Sequence, residues 1–143
     1  MKRVCDLLED KGRAIWSLAP DATVYEAIDV MAQRGVGALL VMEGDRLVGI
    51  VSERDYARKV ILKGKSSREI EVREIMSYPV ICVPPEISVE QTMAVMTDHH
   101  VRHLPVMSDD AVVGVISIGD VVRGIIEDKE FYIQQLTTYI ASS

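Results

Sequence analysis

Two short stretches of this chain, Ser52-Glu-Arg-Asp55 and Ser117-Ile-Gly-Asp120, pair a serine with an aspartate three residues on. In both, the serine ends an apolar run and a helical pattern follows. A helix start carries unpaired N–H groups and the positive end of the macrodipole, which suit a phosphate oxygen. The aspartate falls on the first turn, on the serine's side. There its carboxylate can accept from both hydroxyls of a ribose, each charge-assisted bond worth about 1.5–3 kcal/mol when shielded from water. Gly49 and Gly114 lie within the preceding apolar runs, where glycine signals a bulge or a close backbone approach. The Val and Ile residues between each glycine and serine offer apolar surface to a flat base. The same Ser-x-x-Asp spacing is also a helix capping box, so the motif by itself supports a purely structural role as well.

The elements that position these residues occur twice. Shifted by sixty-five positions, residues 21–61 lie on 86–126 without a gap, with identities at Val24/Val89, Met31/Met96, Leu39/Leu104, Val48/Val113, Gly49/Gly114, Ser52/Ser117, Asp55/Asp120 and Arg58/Arg123. Small units of this kind stack to bury their apolar faces. In each copy, apolar residues at helical spacing (Val24, Ala27, Ile28, Met31; Val89, Met93, Met96) follow a capping box, Thr23-Val-Tyr-Glu26 or Ser88-Val-Glu-Gln91. Two short strands joined by a turn come next: Ala38–Met42 with Leu47–Val51, and His103–Met107 with Ala111–Ile116. A second helix begins near Glu53 and near Ile118. Extended lead-ins at Ile15–Leu18 and Val80–Val83 precede the first helices, and the polar segment 63–71 reads as a linker.

Composition narrows the function classes. The formal charge is −6, from 16 basic and 22 acidic residues, so the broad basic field that drives nucleic-acid association is missing. Cys5 and Cys82 offer neither a disulfide framework nor metal-type spacing. No apolar run reaches the ~18 residues of a membrane span, and Met1-Lys2-Arg3 is not followed by a signal-peptide core, so a cytoplasmic protein without membrane or nucleic-acid partners is expected.

The order strand-helix-strand-strand-helix written twice, with Gly-Ile-Val-Ser-Glu-Arg-Asp, Gly-Val-Ile-Ser-Ile-Gly-Asp and Val101-Arg-His-Leu-Pro-Val106, resembles a tandem pair of CBS domains, a Bateman module of the small stand-alone type. Val4-Cys-Asp-Leu-Leu8 and Val72-Arg-Glu-Ile-Met76 look like the segments that enter each repeat. The resemblance implies an α/β (α+β) fold of two pseudo-twofold-related repeats, each a small sheet packed with two helices, in one compact module. Its boundaries would be 1–62 for the first repeat, 63–71 for the linker, 72–126 for the second repeat and 127–143 for a C-terminal helical extension. It further implies a regulatory module, not an enzyme, that senses AMP, ATP or NAD(H) in clefts between the repeats and passes occupancy to a regulated protein. The alternative is a structural or protein-interaction module with empty clefts. The ligand-binding set it implies is Ile15, Gly37, Ala38, Ser52, Arg54, Asp55, Val80, Arg102, His103, Pro105, Ser117, Gly119 and Asp120.

The copies differ in informative ways. Arg54 can neutralise a phosphate or pair with Glu53 or Asp55, whereas Gly119 opens space beside Ser117. Arg102-His103 stands where copy one has Gly37-Ala38, and Pro105, unable to donate to a ladder, belongs at an edge or a bulge. His99, His100 and His103 do not converge as a helical metal pair would, so no metal is expected. Trp16 reads as core or interface packing, with base contact left open. Helical spacing continues from Val121 to Ile140, and its apolar residues Phe131, Tyr132, Leu136, Tyr139 and Ile140 predict a homodimer contact in preference to packing on the chain's own module.

Overall fold

The computed structural model describes residues 1–142. In chain order the elements are α1 (Val4–Lys11), β1 (Ser17–Leu18), α2 (Val24–Arg34), β2 (Ala38–Glu43), β3 (Arg46–Ser52) and α3 (Glu53–Tyr56), which runs on into a π-helical turn (Ala57–Ile61). A 3-10 turn (Val72–Glu74), α4 (Val89–His99), β4 (His103–Ser108), β5 (Ala111–Ser117) and α5 (Ile118–Ser142) complete it. The mixed α/β class and the doubled order match the sequence reading. The capping box at Ser88 and Gln91 is complete, whereas Thr23 only accepts from the Glu26 N–H.

Packing groups the chain into two compact units, Ile15–Ile81 and Met1–Ala14 joined by the chain from Cys82 onward. These units cut across the repeat boundaries at 62 and 72, because each entering segment packs on the other copy. In one unit the Val72 and Arg73 N–H groups donate to the Ala22 and Pro20 carbonyls, and Val24 N–H donates to Ile70. In the other, the N–H groups of Val4 and Cys5 donate to the Ile87 and Pro85 carbonyls, and Val89 N–H donates to Lys2. The two sets are equivalent bond for bond. Segment 63–71 is also more than a linker: Tyr25 N–H donates to the Ser67 carbonyl, the Arg68 guanidinium lies 4.3 Å from the Tyr25 ring centroid, and Ile70 is buried.

The exchange explains the paired glycines. A Cβ on Gly49 would overlap the Met76 side chain, and one on Gly114 would fall 2.6 Å from Leu8 Cδ2. Both glycines therefore make room for the entering segment. Each also lies beside a β-bulge, between Val41 and Met42 or between Val106 and Met107, so both sequence readings of these positions apply.

The first unit has a three-stranded sheet, β1-β2-β3, with β1 parallel to β2 and β3 antiparallel to it; the second has only β4-β5. Pro105 accounts for the difference. In the first unit Leu40 N–H donates to the Trp16 carbonyl and holds the lead-in as a strand. Pro105 stands at the equivalent position and has no N–H, so the second lead-in is reduced to a bridge between Val83 and Val106. Pro105 thus lies on an edge strand next to a bulge, as a residue without an N–H should, with its carbonyl accepting from Val83. The hairpin loops are tight two-residue turns. Asp109 and Asp110 both take positive φ (50° and 65°), a conformation that Asp tolerates better than most residues.

The first unit's core comprises Val24, Ala27, Met31, Leu39, Val41, Val51, Val60, Ile70, Val72 and Ile75. In the second, Val4, Leu7, Leu8, Val89, Met96, Leu104, Val106, Ile116 and Val121 are buried. Beyond Asp128 all residues of α5 through Ala141 are exposed, including Phe131, Tyr132, Leu136, Tyr139 and Ile140. The extension therefore does not bury its apolar face on its own unit.

Candidate functional site

Each repeated Ser-x-x-Asp sits where a strand hands over to a helix, and hairpin register brings its neighbours alongside. Ala38 is the cross-strand partner of Ser52, and His103 that of Ser117. The Glu53 N–H donates to the Gly37 carbonyl (3.1 Å), and the Ile118 N–H to the Arg102 carbonyl (2.8 Å). The first unit thus holds Gly37, Ala38, Ser52, Arg54 and Asp55 together, and carries Ile15 and Val80 as half-buried residues. The second holds Arg102, His103, Ser117, Gly119 and Asp120, with Pro105 in the same hairpin.

The capping box is present in both copies. The Ser52 and Ser117 N–H groups donate to Oδ2 of Asp55 (2.9 Å) and Asp120 (2.8 Å), and each aspartate's N–H donates back to the serine Oγ at 3.3 Å. The structural reading of the spacing is therefore realised. Binding remains compatible with it, because a carboxylate has about four acceptor positions.

The carboxylates also carry cations that the motif does not announce. Lys11 Nζ, from α1, donates to Asp120 Oδ2 at 2.6 Å and to the Val115 carbonyl at 3.0 Å, and Arg123 Nη2 reaches Asp120 Oδ1 at 2.8 Å. In the first unit Lys59 Nζ lies 3.1 Å from Asp55 Oδ1 and donates to the Ile75 carbonyl at 2.8 Å. Lys59, one helical turn beyond Asp55, was within reach of sequence spacing. Lys11 lies 109 residues from Asp120, and no local pattern reveals the pairing.

Electrostatics follow from this placement. Asp120 is only 7% exposed, and that burial works to raise its pKa. Hydrogen bonds from Lys11 and Ser117 outweigh it and hold the carboxyl below its ordinary value, so it is ionised at neutral pH. Burial, reinforced by the Lys11 charge, holds His103 below the usual imidazole value despite the opposing pull of Asp120, so His103 is neutral.

Among the described residues Arg54 enters no ion pair; Lys59 takes Asp55 instead. A Cβ on Gly119 would meet only Ser117 Oγ, at 3.6 Å, so space is open there. Arg102 is exposed. His99 closes α4 and His100 forms its left-handed cap, and no three His, Cys, Asp or Glu side chains among the described residues are grouped to hold a metal ion. Trp16 packs against the first unit's core, with the Arg34 guanidinium 4.2 Å from its ring centroid.

A family model for the CBS domain matches residues 12–62 and again 72–127. The chain belongs to the CBS-domain family and carries two repeats of that domain. It is 40% identical over 147 residues to the CBS domain-containing protein CBSX3, mitochondrial, of Arabidopsis thaliana, an alignment covering 96% of this chain and 71% of that one. A putative signal-transduction protein with CBS domains from Burkholderia ambifaria superposes with a TM-score of 0.85 at 47% identity, covering 89% of this chain and 96% of that one. The CBS domain pair of protein MJ0100, solved in complex with 5′-methylthioadenosine and S-adenosyl-L-methionine, has a TM-score of 0.75 at 23% identity, covering 90% and 98%. Tandem CBS modules are in general regulatory parts of proteins. Among the described residues no helix is long and apolar enough to cross a membrane.

Proposed function

We propose that this chain is a regulatory module that binds an adenosine nucleotide (AMP, ATP or NAD(H)) at its Ser-x-x-Asp sites and passes occupancy to a partner protein. The observation that carries the reading is the duplicated carboxylate. Asp120 is buried, ionised and set beside the open space at Gly119, and Asp55, half-buried with Arg54 in place of that glycine, repeats its bond to the serine N–H. A sugar diol satisfies an acceptor of this kind, and the adenosine ligands bound by the MJ0100 pair support adenosine as the class. The module binds and does not catalyse; transmission requires the ligand to prefer one of two conformations. The test is thermal unfolding with a panel of nucleotides. Ligands that bind only the folded state raise Tm by mass action, so AMP, ATP or NAD(H) should raise it more than GMP or UMP. Equal shifts throughout, or none, would overturn the reading.

One observation favours the alternative of a structural or protein-interaction module: in both copies the carboxylate is already satisfied by its serine and a lysine. In that case no nucleotide would change the Tm.

The apolar residues exposed on α5 are the basis for proposing a homodimer, since solvent-facing Phe131, Ile133, Leu136 and Ile140 on one helix gain by pairing with a second copy. Light scattering at micromolar concentration should give twice the chain mass, and deleting residues 129–143 should return it to monomer. A monomeric parent would rule this out. The cytoplasmic placement belongs to the same proposal, and the mitochondrial name of the Arabidopsis relative makes cell fractionation its direct check.

A further inference from the structure

Both copies set a lysine on the repeated aspartate, and they reach that result by different routes. In the first unit the lysine is Lys59, one turn along from Asp55, with Nζ shared between Asp55 Oδ1 (3.1 Å) and the Ile75 carbonyl (2.8 Å). The position equivalent to Lys59 in the second copy is Gly124, where a Cβ would fall 2.8 Å from Leu7 Cδ2 and 3.2 Å from Val89 Cγ1. No side chain fits there, because α1 closes over it. That same helix then supplies the cation: Lys11 Nζ is shared between Asp120 Oδ2 (2.6 Å) and the Val115 carbonyl (3.0 Å). Two unrelated lysines thus each make one bond to the carboxylate and one to a backbone carbonyl, Lys11 on the oxygen that also accepts from the Ser117 N–H and Lys59 on the oxygen opposite the Ser52 N–H.

The acceptor count shows what these lysines do when a ribose arrives. Of the roughly four acceptor positions of a carboxylate, Asp120 gives two at Oδ2 to the Ser117 N–H and Lys11, and one at Oδ1 to Arg123. A diol needs two, so at Asp120 a cation must give way, and at Asp55, which accepts from the Ser52 N–H and Oγ and faces Lys59, the serine hydroxyl or the lysine must. Lys11 and Lys59 can do so: their side chains are 36% and 42% exposed, and the four-carbon stem pivots about its remaining carbonyl bond. A displaced ammonium is left to water unless another anion lies nearby. A neutral riboside offers none, and a cationic one opposes it, whereas a phosphoryl group supplies a stronger partner than the carboxylate it replaces.

We propose that Lys11 and Lys59 are specificity-determining residues that make each site select ribosides carrying a phosphate over neutral or cationic ones. This rests on the nucleotide reading above and narrows it: the adenosine ligands of the MJ0100 pair, a thioether and a sulfonium, are the wrong class for this chain. Calorimetric titration of the full chain with AMP, adenosine and 5′-methylthioadenosine tests it, alongside the paired variants Lys11→Met with Lys59→Met, and Lys11→Arg with Lys59→Arg. The parent should bind AMP at least about tenfold more tightly than either neutral riboside. In the methionine variant AMP should weaken while adenosine holds or strengthens, so the preference collapses toward unity. The arginine variant should retain it, which separates lost charge from disturbed folding. If the parent binds AMP and adenosine equally, or the methionine variant keeps the full preference, the lysines are only counter-ions and the proposal fails while the nucleotide reading stands. If the parent binds none of the three and neither ATP nor NAD(H), the nucleotide reading falls and this inference falls with it.

Discussion

Replacing Asp120 with Asn should lower AMP affinity by roughly ten- to a hundredfold, about 1.5–3 kcal/mol. Asn keeps the shape of the side chain but loses its charge and one of its two acceptor oxygens, so it can no longer grip two ribose hydroxyls. From the motif alone such a change would leave the unliganded protein untouched, because Asn caps a helix as well as Asp does. The ion pairs alter that expectation. Asp120 Oδ2 holds Lys11 and Oδ1 holds Arg123, and both contacts lose their charge in the variant. The partners reach solvent, with Arg123 69% exposed, so the stability lost should stay near 1 kcal/mol. Asp55→Asn gives up a single i,i+4 pair with Lys59 and should lose less, roughly 0.3–0.5 kcal/mol. Calorimetry on each variant reads the affinity and urea unfolding reads the stability. Unchanged affinity in both, where the parent binds, would reduce the aspartates to caps.

Leu8→Ala should be the most destabilising single change considered, by about 2–5 kcal/mol. Leu8 is 1% exposed, and its side chain fills the notch over Gly114. Against a typical total of about 5–15 kcal/mol, that is a large fraction of the protein's stability. Gly114→Ala alone should lose about 1–3 kcal/mol, because the new methyl group meets Leu8 Cδ2 and the surrounding core gives little way. Combined, the two should lose clearly less than their sum, since the methyl group partly refills the space that Leu8 vacates, with a coupling of about 0.5–3 kcal/mol. Urea unfolding at fixed protomer concentration measures it. Strict additivity would mean that the N-terminal helix does not pack on the second copy's glycine.

Much of this protein is legible without its coordinates, because local chemistry specifies local structure. The capped helices at Val24 and Val89, the paired hairpins, the handover at Ser52 and Ser117, and the continuing helix beyond Val121 all follow from spacing and residue type. Duplication made those signals trustworthy, since the same pattern had to fold the same way twice. Which copy an entering segment packs on depends on surfaces far apart in sequence, and the fit of Leu8 over Gly114 or Met76 over Gly49 has no local signature. Pro105 could be read as a residue without a donor. That its missing N–H would shorten the second sheet follows only from knowing that it faces the lead-in and not solvent. The carboxylates show the same division most clearly. Sequence placed Asp55 and Asp120 on first helical turns beside their serines, because three residues of helix are enough to do that. Only tertiary packing brought Lys11 across 109 residues to Asp120, since the close approach of α1 that bars a side chain at Gly124 also carries Lys11 to the carboxylate that Arg123 pairs from its own helix.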